Sequence, residues 1–201
     1  MNYYIFGAGG HGKVVADALR LSNLKCDGFI DDKGIDEWDG LPVFGADILE
    51  NILKKNIALH IAIGNGDVRE RISKELDNYS FSSIYHPSAI VSDTAKIEEG
   101  NFLAAGAIVG PYAKLGKHCI VNHLAVVDHD CTVGDFCHIS PHACLGGGAK
   151  IGKGVLVGSG SIILPGIVIG KNAIIGAGAI VTKNIQTGVT VAGNPAIPLI
   201  S

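Results

Sequence analysis

Residues 103–127 read LAAGAIVGPYAKLGKHCIVNHLAVV, and every sixth residue among them, Leu103, Val109, Leu115, Val121 and Val127, is a branched aliphatic. The same step runs back through Ile97 to Val91. It runs forward through Val133, Ile139, Leu145, Ile151, Val157, Ile163, Ile169 and Ile175 to Val181 without slipping. Four residues beyond most stops sits a smaller side chain, as at Ala95, Ala107, Ala113, Cys119, Ala125, Cys131, Cys137, Ala143 and Ala149. Asn101, Ile167 and Ile185 depart from that class. Glycine follows the aliphatic directly at Gly110, Gly116, Gly134, Gly146, Gly152, Gly158, Gly170 and Gly176.

A period of six suits neither an α-helix nor a simple alternating strand. It suits a short strand and a tight turn, repeated so that each aliphatic points into one core. Three such sides close a triangular coil, and the 16 stops from Val91 to Val181 make roughly five coils, a prism about 25 Å tall at ~4.8 Å per coil. The pattern predicts a parallel β-helix of hexapeptide type. The glycines after the aliphatics are expected to relieve the turns by adopting positive φ. Cys119, Cys131 and Cys137 occupy the small inward site and read as buried small hydrophobes. The period leaves the hand open, since crossovers are ordinarily right-handed.

The chain before the repeat has another grammar. Residues 2–6 read as a strand, followed by Gly7-Ala8-Gly9-Gly10-His11-Gly12 and an amphipathic helix from Lys13 to Leu21. Such a turn brings backbone N–H groups and a helix N-terminus toward a phosphate. Further strands are expected at Cys26–Ile30, ending on Asp31-Asp32, at Ala58–Ile63, ending on Gly64-Asn65-Gly66, and at Phe81–Tyr85, with a helix near Val68–Leu76. This predicts a small α/β Rossmann-like domain over residues 1–86 and a β-helix with a short C-terminal tail over 87–201. There is room for only half a dinucleotide fold, which points to a nucleotide-diphosphate ligand rather than NAD.

Composition narrows the function. Of 201 residues 47% are apolar and 17% charged, which excludes a disordered chain. A net charge of −3 without basic runs argues against nucleic acid as a partner. No apolar run reaches the ~18 residues of a membrane span, no basic segment precedes the first apolar run, and five Cys without a CxxC fit a reduced, cytoplasmic protein.

The chemistry is expected among the histidines of the repeat, His118, His123, His129, His138 and His142. His129 and His138 fall on outward positions of the six-residue frame, and Asp128-His129-Asp130 places carboxylates beside an imidazole. A carboxylate that orients the ring makes it a better general base.

The chain resembles the left-handed β-helix, hexapeptide-repeat acyltransferases, in their nucleotide-sugar and sialic-acid branch. It is most similar to the UDP-4-amino-sugar N-acetyltransferases of bacterial diacetamido-sugar synthesis. The resemblance is carried by Phe6-Gly7-Ala8-Gly9-Gly10-His11-Gly12, Phe29-Ile30-Asp31-Asp32, Ile61-Ala62-Ile63-Gly64-Asn65 with Arg69, His129-Asp130-Cys131-Thr132-Val133-Gly134, and Ala192-Gly193-Asn194-Pro195-Ala196. It implies a left-handed prism, a homotrimer with the coenzyme A site between neighbouring prisms, and acetyl-CoA as co-substrate with no metal. It further implies acetyl transfer to the 4-amino group of a nucleotide-linked sugar, with O-acetylation of sialic acid or another sugar hydroxyl as the alternative. By position, His129 becomes the general base and Asp130 its partner, where relatives often carry Glu. His138, Gly147, Gly176, Ala177, Lys183 and Pro195 fall to acetyl-CoA, Ala177 replacing a glycine of the family and Ile197 a basic residue. Gly9, Gly10, His11, Asp31, Asp32, Gly64 and Asn65 fall to the nucleotide sugar.

Overall fold

The computed structural model describes residues 2–32, 35–48 and 57–199. The apolar run Asn2–Phe6 forms β1, flanked in parallel by β2 (Cys26–Ile30) and β5 (Ile57–Ile61). Between the latter two in sequence lie β3 (Glu37–Trp38) and β4 (Leu41–Phe44), giving the sheet order β3-β4-β2-β1-β5. The β3–β4 hairpin adds to the expected strands. Its turn, Asp39-Gly40, has both φ values positive, and Asp-Gly is the short-range signal for a two-residue hairpin. Helices α1 (Gly10–Leu21) and α2 (Gly66–Glu75) follow β1 and β5.

Phe81–Tyr85 does not form a strand of this sheet. Phe81 makes a single bridge to Leu59, while Ile84–Tyr85 pairs with Phe102–Leu103 and is the first strand of the prism. From there two-residue strands recur every six residues and stack in parallel on their counterparts eighteen residues on, as Ile108–Val109 does on Val126–Val127. Three flat faces result. One, the docked face, carries Phe102, Ile120 and His138 outward and meets the N-terminal domain. The next, the apolar face, presents Ile90, Ile108, Val126, Cys144, Ile162 and Ile180. The third, the basic face, presents Lys96, Lys114, Thr132, Lys150 and Val168.

Inside, the aliphatic stops from Leu103 to Val181 and the small residues between them are almost wholly removed from water, Cys119, Cys131 and Cys137 among them at 0% exposure. Ile167 and Ile185, which break the small-residue class, still pack on this core. Asn101, the polar exception, is buried with its amide bonded to the carbonyls of Glu98 and Gly116 and accepting from the Cys119 amide. Beyond Val181 the step shortens: Ile169 meets Ile185 and Ile174 meets Thr190, sixteen residues on instead of eighteen. An antiparallel pair, Thr190–Ala192 with Ile197–Pro198, closes the end. Among the described residues no helix is long and apolar enough to cross a membrane.

The turns correct one expectation. Positive φ falls not directly after the aliphatic but on the third residue after it, at Gly100 and Gly106, Tyr112, His118, Leu124, Asp130, Phe136 and His142, then Gly148, Gly154, Gly160, Gly166, Asn172 and Gly178. Most turns close as in Ala107 N to Ala104 O at 3.1 Å, with the left-handed residue third, as in a type II turn. Pro111, Pro141 and Pro165 take its second position, where fixed φ is favourable. The glycines after the aliphatics answer a different need. A Cβ on Gly110 or Gly134 would lie 2.8 or 2.7 Å from the backbone nitrogen of His129 or Lys153, one coil on.

Gly134→Ala should therefore lower the unfolding free energy by about 1–3 kcal/mol through overpacking. Tyr112→Gly, at a left-handed position, should leave it unchanged or raise it by up to about 1 kcal/mol. Urea melts giving the reverse order would show that positive φ is not the constraint at Tyr112.

Candidate active site

The site begins where β5 ends. Ala62-Ile63-Gly64 leads into Asn65, whose side chain caps α2 by accepting from the Val68 amide at 3.0 Å, an N-cap role suited to Asn. One turn on, Arg69 is swallowed between the domains at 1% exposure. Its guanidinium donates to the carbonyls of Ile63 and Gly64 in its own loop, both at 2.8 Å. It donates also to His118, Phe136 and Cys137 of the prism at 3.0, 2.7 and 3.1 Å. Burial pulls its pKa down, yet only to about 10, so the group stays charged. Beside it, Lys153 pairs with Glu70 of α2 at 2.7 Å.

This staple presents the Gly64 carbonyl to His138 Nδ1 at 3.2 Å, while Asn122 Nδ2 stands 3.1 Å from His138 Nε2. A carbonyl can only accept and an amide NH₂ only donate, which assigns the proton to Nδ1 and leaves Nε2 as an acceptor. Burial, reinforced by the charge of Arg69, holds His138 at a pKa of about 4. It borders a cleft of about 160 Å³ shared by Gly64, Asn65, Phe136, Leu156 and Ile174.

On the other side of the staple the glycine turn divides by role. Gly7, at φ +111, and Gly12, whose Cβ would meet the Gly7 carbonyl, are demanded by packing. Gly9 and Gly10 face open space. Asp31 accepts from the Ala8 amide at 2.8 Å, and Asp32 from the Ala46 amide at 3.2 Å. His11 turns inward from α1, edge-on to Phe102 at 5.2 Å, and its Nε2 has no partner among the described residues. His60 lies behind the same ring. Burial pushes their pKa values down to about 3 and about 4.

His129 lies elsewhere, on the corner between the apolar and basic faces. Asp128 accepts from its amide at 2.7 Å, and Asp130 Oδ2 lies 2.9 Å from its Nδ1. The shorter Asp reaches because residue 130 adopts positive φ and turns back on the ring. The hydrogen bond to Asp130, then the charge of Asp128, raises the pKa of His129 above its ordinary value. With Nδ1 donating, Nε2 is left as the open base, next to Gly147 one coil on, where a Cβ would collide with it. Lys183 follows Val181 on the same corner, Gly176-Ala177 occupies the opposite edge of the apolar face, and Pro195 sits in the turn between the two closing strands.

The five histidines of the repeat are thus not one cluster. His118 is buried, stacked on Phe136 at 5.3 Å and edge-on to Phe81. His123 and His142 lie on the corner between docked and apolar faces, and His138 on the docked face, opposite the corner of His129. No group of three or more metal-ligating side chains gathers among the described residues. Asn122 was not singled out in the sequence, and only its partner across the coils reveals it.

Two measurements probe the domain contact. Arg69→Met removes a donor from five carbonyls, of which Gly64 and Cys137 keep another from His138 and the Ile120 amide, and should cost about 3 kcal/mol or more in urea unfolding; a loss under 1 kcal/mol would show that the staple is dispensable. His11, His60, His118 and His138 hold pKa values of about 3 to 4 against 6.5 when free. Between pH 6.5 and 4 the unfolded chain therefore binds more protons than the folded one. Their contribution is complete above pH 6.5 and is lost on acidification, by up to about 1.4 kcal/mol per pH unit for each. Equal urea midpoints at pH 7 and pH 5 would contradict neutral burial.

Residues 2–76 match the family model PglD N-terminal domain, and residues 148–183 match Bacterial transferase hexapeptide (six repeats). UDP-N-acetylbacillosamine N-acetyltransferase of Bacillus subtilis is 39% identical over 112 residues, and the match spans 52% of this chain and about half, 51%, of that protein. Among solved structures, a mutant of perosamine N-acetyltransferase from Caulobacter crescentus in complex with CoA and GDP-perosamine is 31% identical, covering 100% of this chain and 98% of its own at a TM-score of 0.97. The acetyltransferase domain of PglB from Neisseria gonorrhoeae in complex with acetyl coenzyme A is 37% identical, covering 98% of each chain at 0.94. With this sheet, this prism and these matches over its whole described length, the chain belongs to the left-handed β-helix hexapeptide-repeat acyltransferases, in the branch of acetyl-CoA-dependent N-acetyltransferases of nucleotide amino sugars.

Proposed function

We propose that the protein transfers the acetyl group of acetyl-CoA directly to the 4-amino group of a nucleotide-linked amino sugar, with His129 as general base. The observation that carries this reading is the Asp130–His129 pair, which leaves Nε2 as an unblocked acceptor on the protein surface. The amine attacks the thioester carbon, the C–N bond forms, and the C–S bond breaks. The proton passes from the amine to His129 Nε2 and on to the departing thiolate, so no covalent enzyme intermediate is needed.

The reading requires more than one copy of the chain. His129 and His138 stand on opposite sides of one prism, and between the His129 corner and the Gly176-Ala177 corner runs the apolar face of Ile90, Ile108, Val126, Cys144, Ile162 and Ile180. Seating a neighbour there would bury that face and bring the neighbour's docked face toward His129, as a homotrimer does. Acetyl-CoA would then lie between copies. Its pantetheine arm would run along Leu156 and Ile174, its thioester would lie between His129 and His138, and its phosphates would reach Lys183. The glycine turn with Gly9 and Gly10, and the loops of Asp31, Asp32, Gly64 and Asn65, would hold the nucleotide sugar, with His11 beneath as packing.

UDP-, GDP- and dTDP-linked 4-amino sugars, and sialic acid for O-acetylation, can be assayed with acetyl-CoA by thiol release. Transfer to an amino sugar is expected, and turnover on sialic acid alone would overturn the reading. His129→Ala should lower kcat by about 10²–10⁴. Since the base acts unprotonated and Asp130 raises its pKa, activity should fall on the acid side of a pKa above 6.5. Asp130→Asn should move that limb to lower pH while slowing turnover.

A further inference from the structure

The corner that carries His129 also forms one bank of a second cleft, about 360 Å³ in volume, lined by Thr94, Lys96, Tyr112, Lys114, Asp130 and Thr132. Its rungs are in register, Lys114 pairing with Lys96 on one side and Thr132 on the other. Adjacent rungs stand about 4.8 Å apart, so two like-charged side chains leave the same face from neighbouring rungs, an arrangement that is unfavourable without a counter-charge. Neither has an ion-pair partner among the described residues, whereas Lys117 and Lys153 on the next corner are paired with Glu99 and Glu70.

A second, independent feature lies across the cleft. Tyr112 holds φ 58 and is 64% exposed. That conformation costs a non-glycine residue about 1–2 kcal/mol, and two and three coils up the same corner Gly148 and Gly166 occupy the position. An exposed ring returns nothing to the core for this strain. Backbone strain of this kind persists where a site requires it. Asp130, one rung from Tyr112 at the same turn position, ties the cleft to the reacting group through its bond to His129 Nδ1.

We infer that this cleft is the acceptor subsite: Lys96 and Lys114 take the diphosphate of the nucleotide sugar, and the ring of Tyr112 packs against its sugar. The sugar amine then faces His129 Nε2. The inference rests on the proposed acetyl transfer and adds the wall that would face the glycine turn of a neighbouring copy.

The double variant Lys96→Ala/Lys114→Ala should raise KM for the nucleotide amino sugar about tenfold or more, as expected when charged hydrogen bonds are lost, and leave KM for acetyl-CoA unchanged. Tyr112→Gly, which suits the backbone, should raise the same KM without lowering thermal stability. Calorimetry with UDP or GDP alone, needing no turnover, should show weaker binding to the double variant. Unchanged nucleotide affinity, or a rise in KM for acetyl-CoA instead, overturns the subsite. If the wild-type protein binds UDP or GDP but transfers no acetyl group, the proposed reaction fails while the calorimetric comparison still decides the cleft.

Discussion

A single buried cation organises the contact between the two halves of this chain. Arg69 carries no carboxylate partner among the described residues; its charge is balanced by five carbonyl dipoles drawn from a loop of one domain and two turns of the other. Burying a guanidinium is tolerable only when its donors are satisfied, and here their satisfaction requires both domains in one relative position. The Gly64 carbonyl, which also meets His138, is set by the same bonds. Domain orientation, the α2 loop and the tautomer of His138 are therefore one problem with one solution.

The prism obeys a different constraint, steric and local. Parallel coils stack closely enough that the residue after each aliphatic has no room for a side chain where glycine stands, while the turn itself needs a left-handed residue two positions on. Toward both ends of the repeat glycine mostly meets that second need. From Tyr112 to His142 six successive turns decline it, and that interval holds His129, Asp130 and His138. Strain and chemistry coincide because a side chain on the left-handed residue is what lets Asp130 reach back to His129.

Much of the fold was legible in the sequence. A six-residue step carries its own coordinate frame, so inward and outward positions, the buried cysteines and the exposure of His129 followed from counting. The β3–β4 hairpin was legible too, in Asp39-Gly40, but lay in a stretch with little apolar periodicity. The site was legible only as separate pieces. Five histidines close in sequence looked like a cluster, yet consecutive hexads point in three directions, and the structure sends His118 into the domain contact and His129 to a far corner.

What the sequence by itself determined is the repeat, the glycine turn and the Asp130–His129 pair, because each depends on residues near in sequence or on a fixed period. What only the tertiary structure decided is which faces remain uncovered and which groups share a proton. Partners sixteen or more residues apart, such as Asn122 with His138, Arg69 with Phe136, or Lys96 beside Lys114, are chosen by coil stacking and domain docking. Those contacts depend on the three-dimensional closure of the chain, and no local pattern of residue types encodes them.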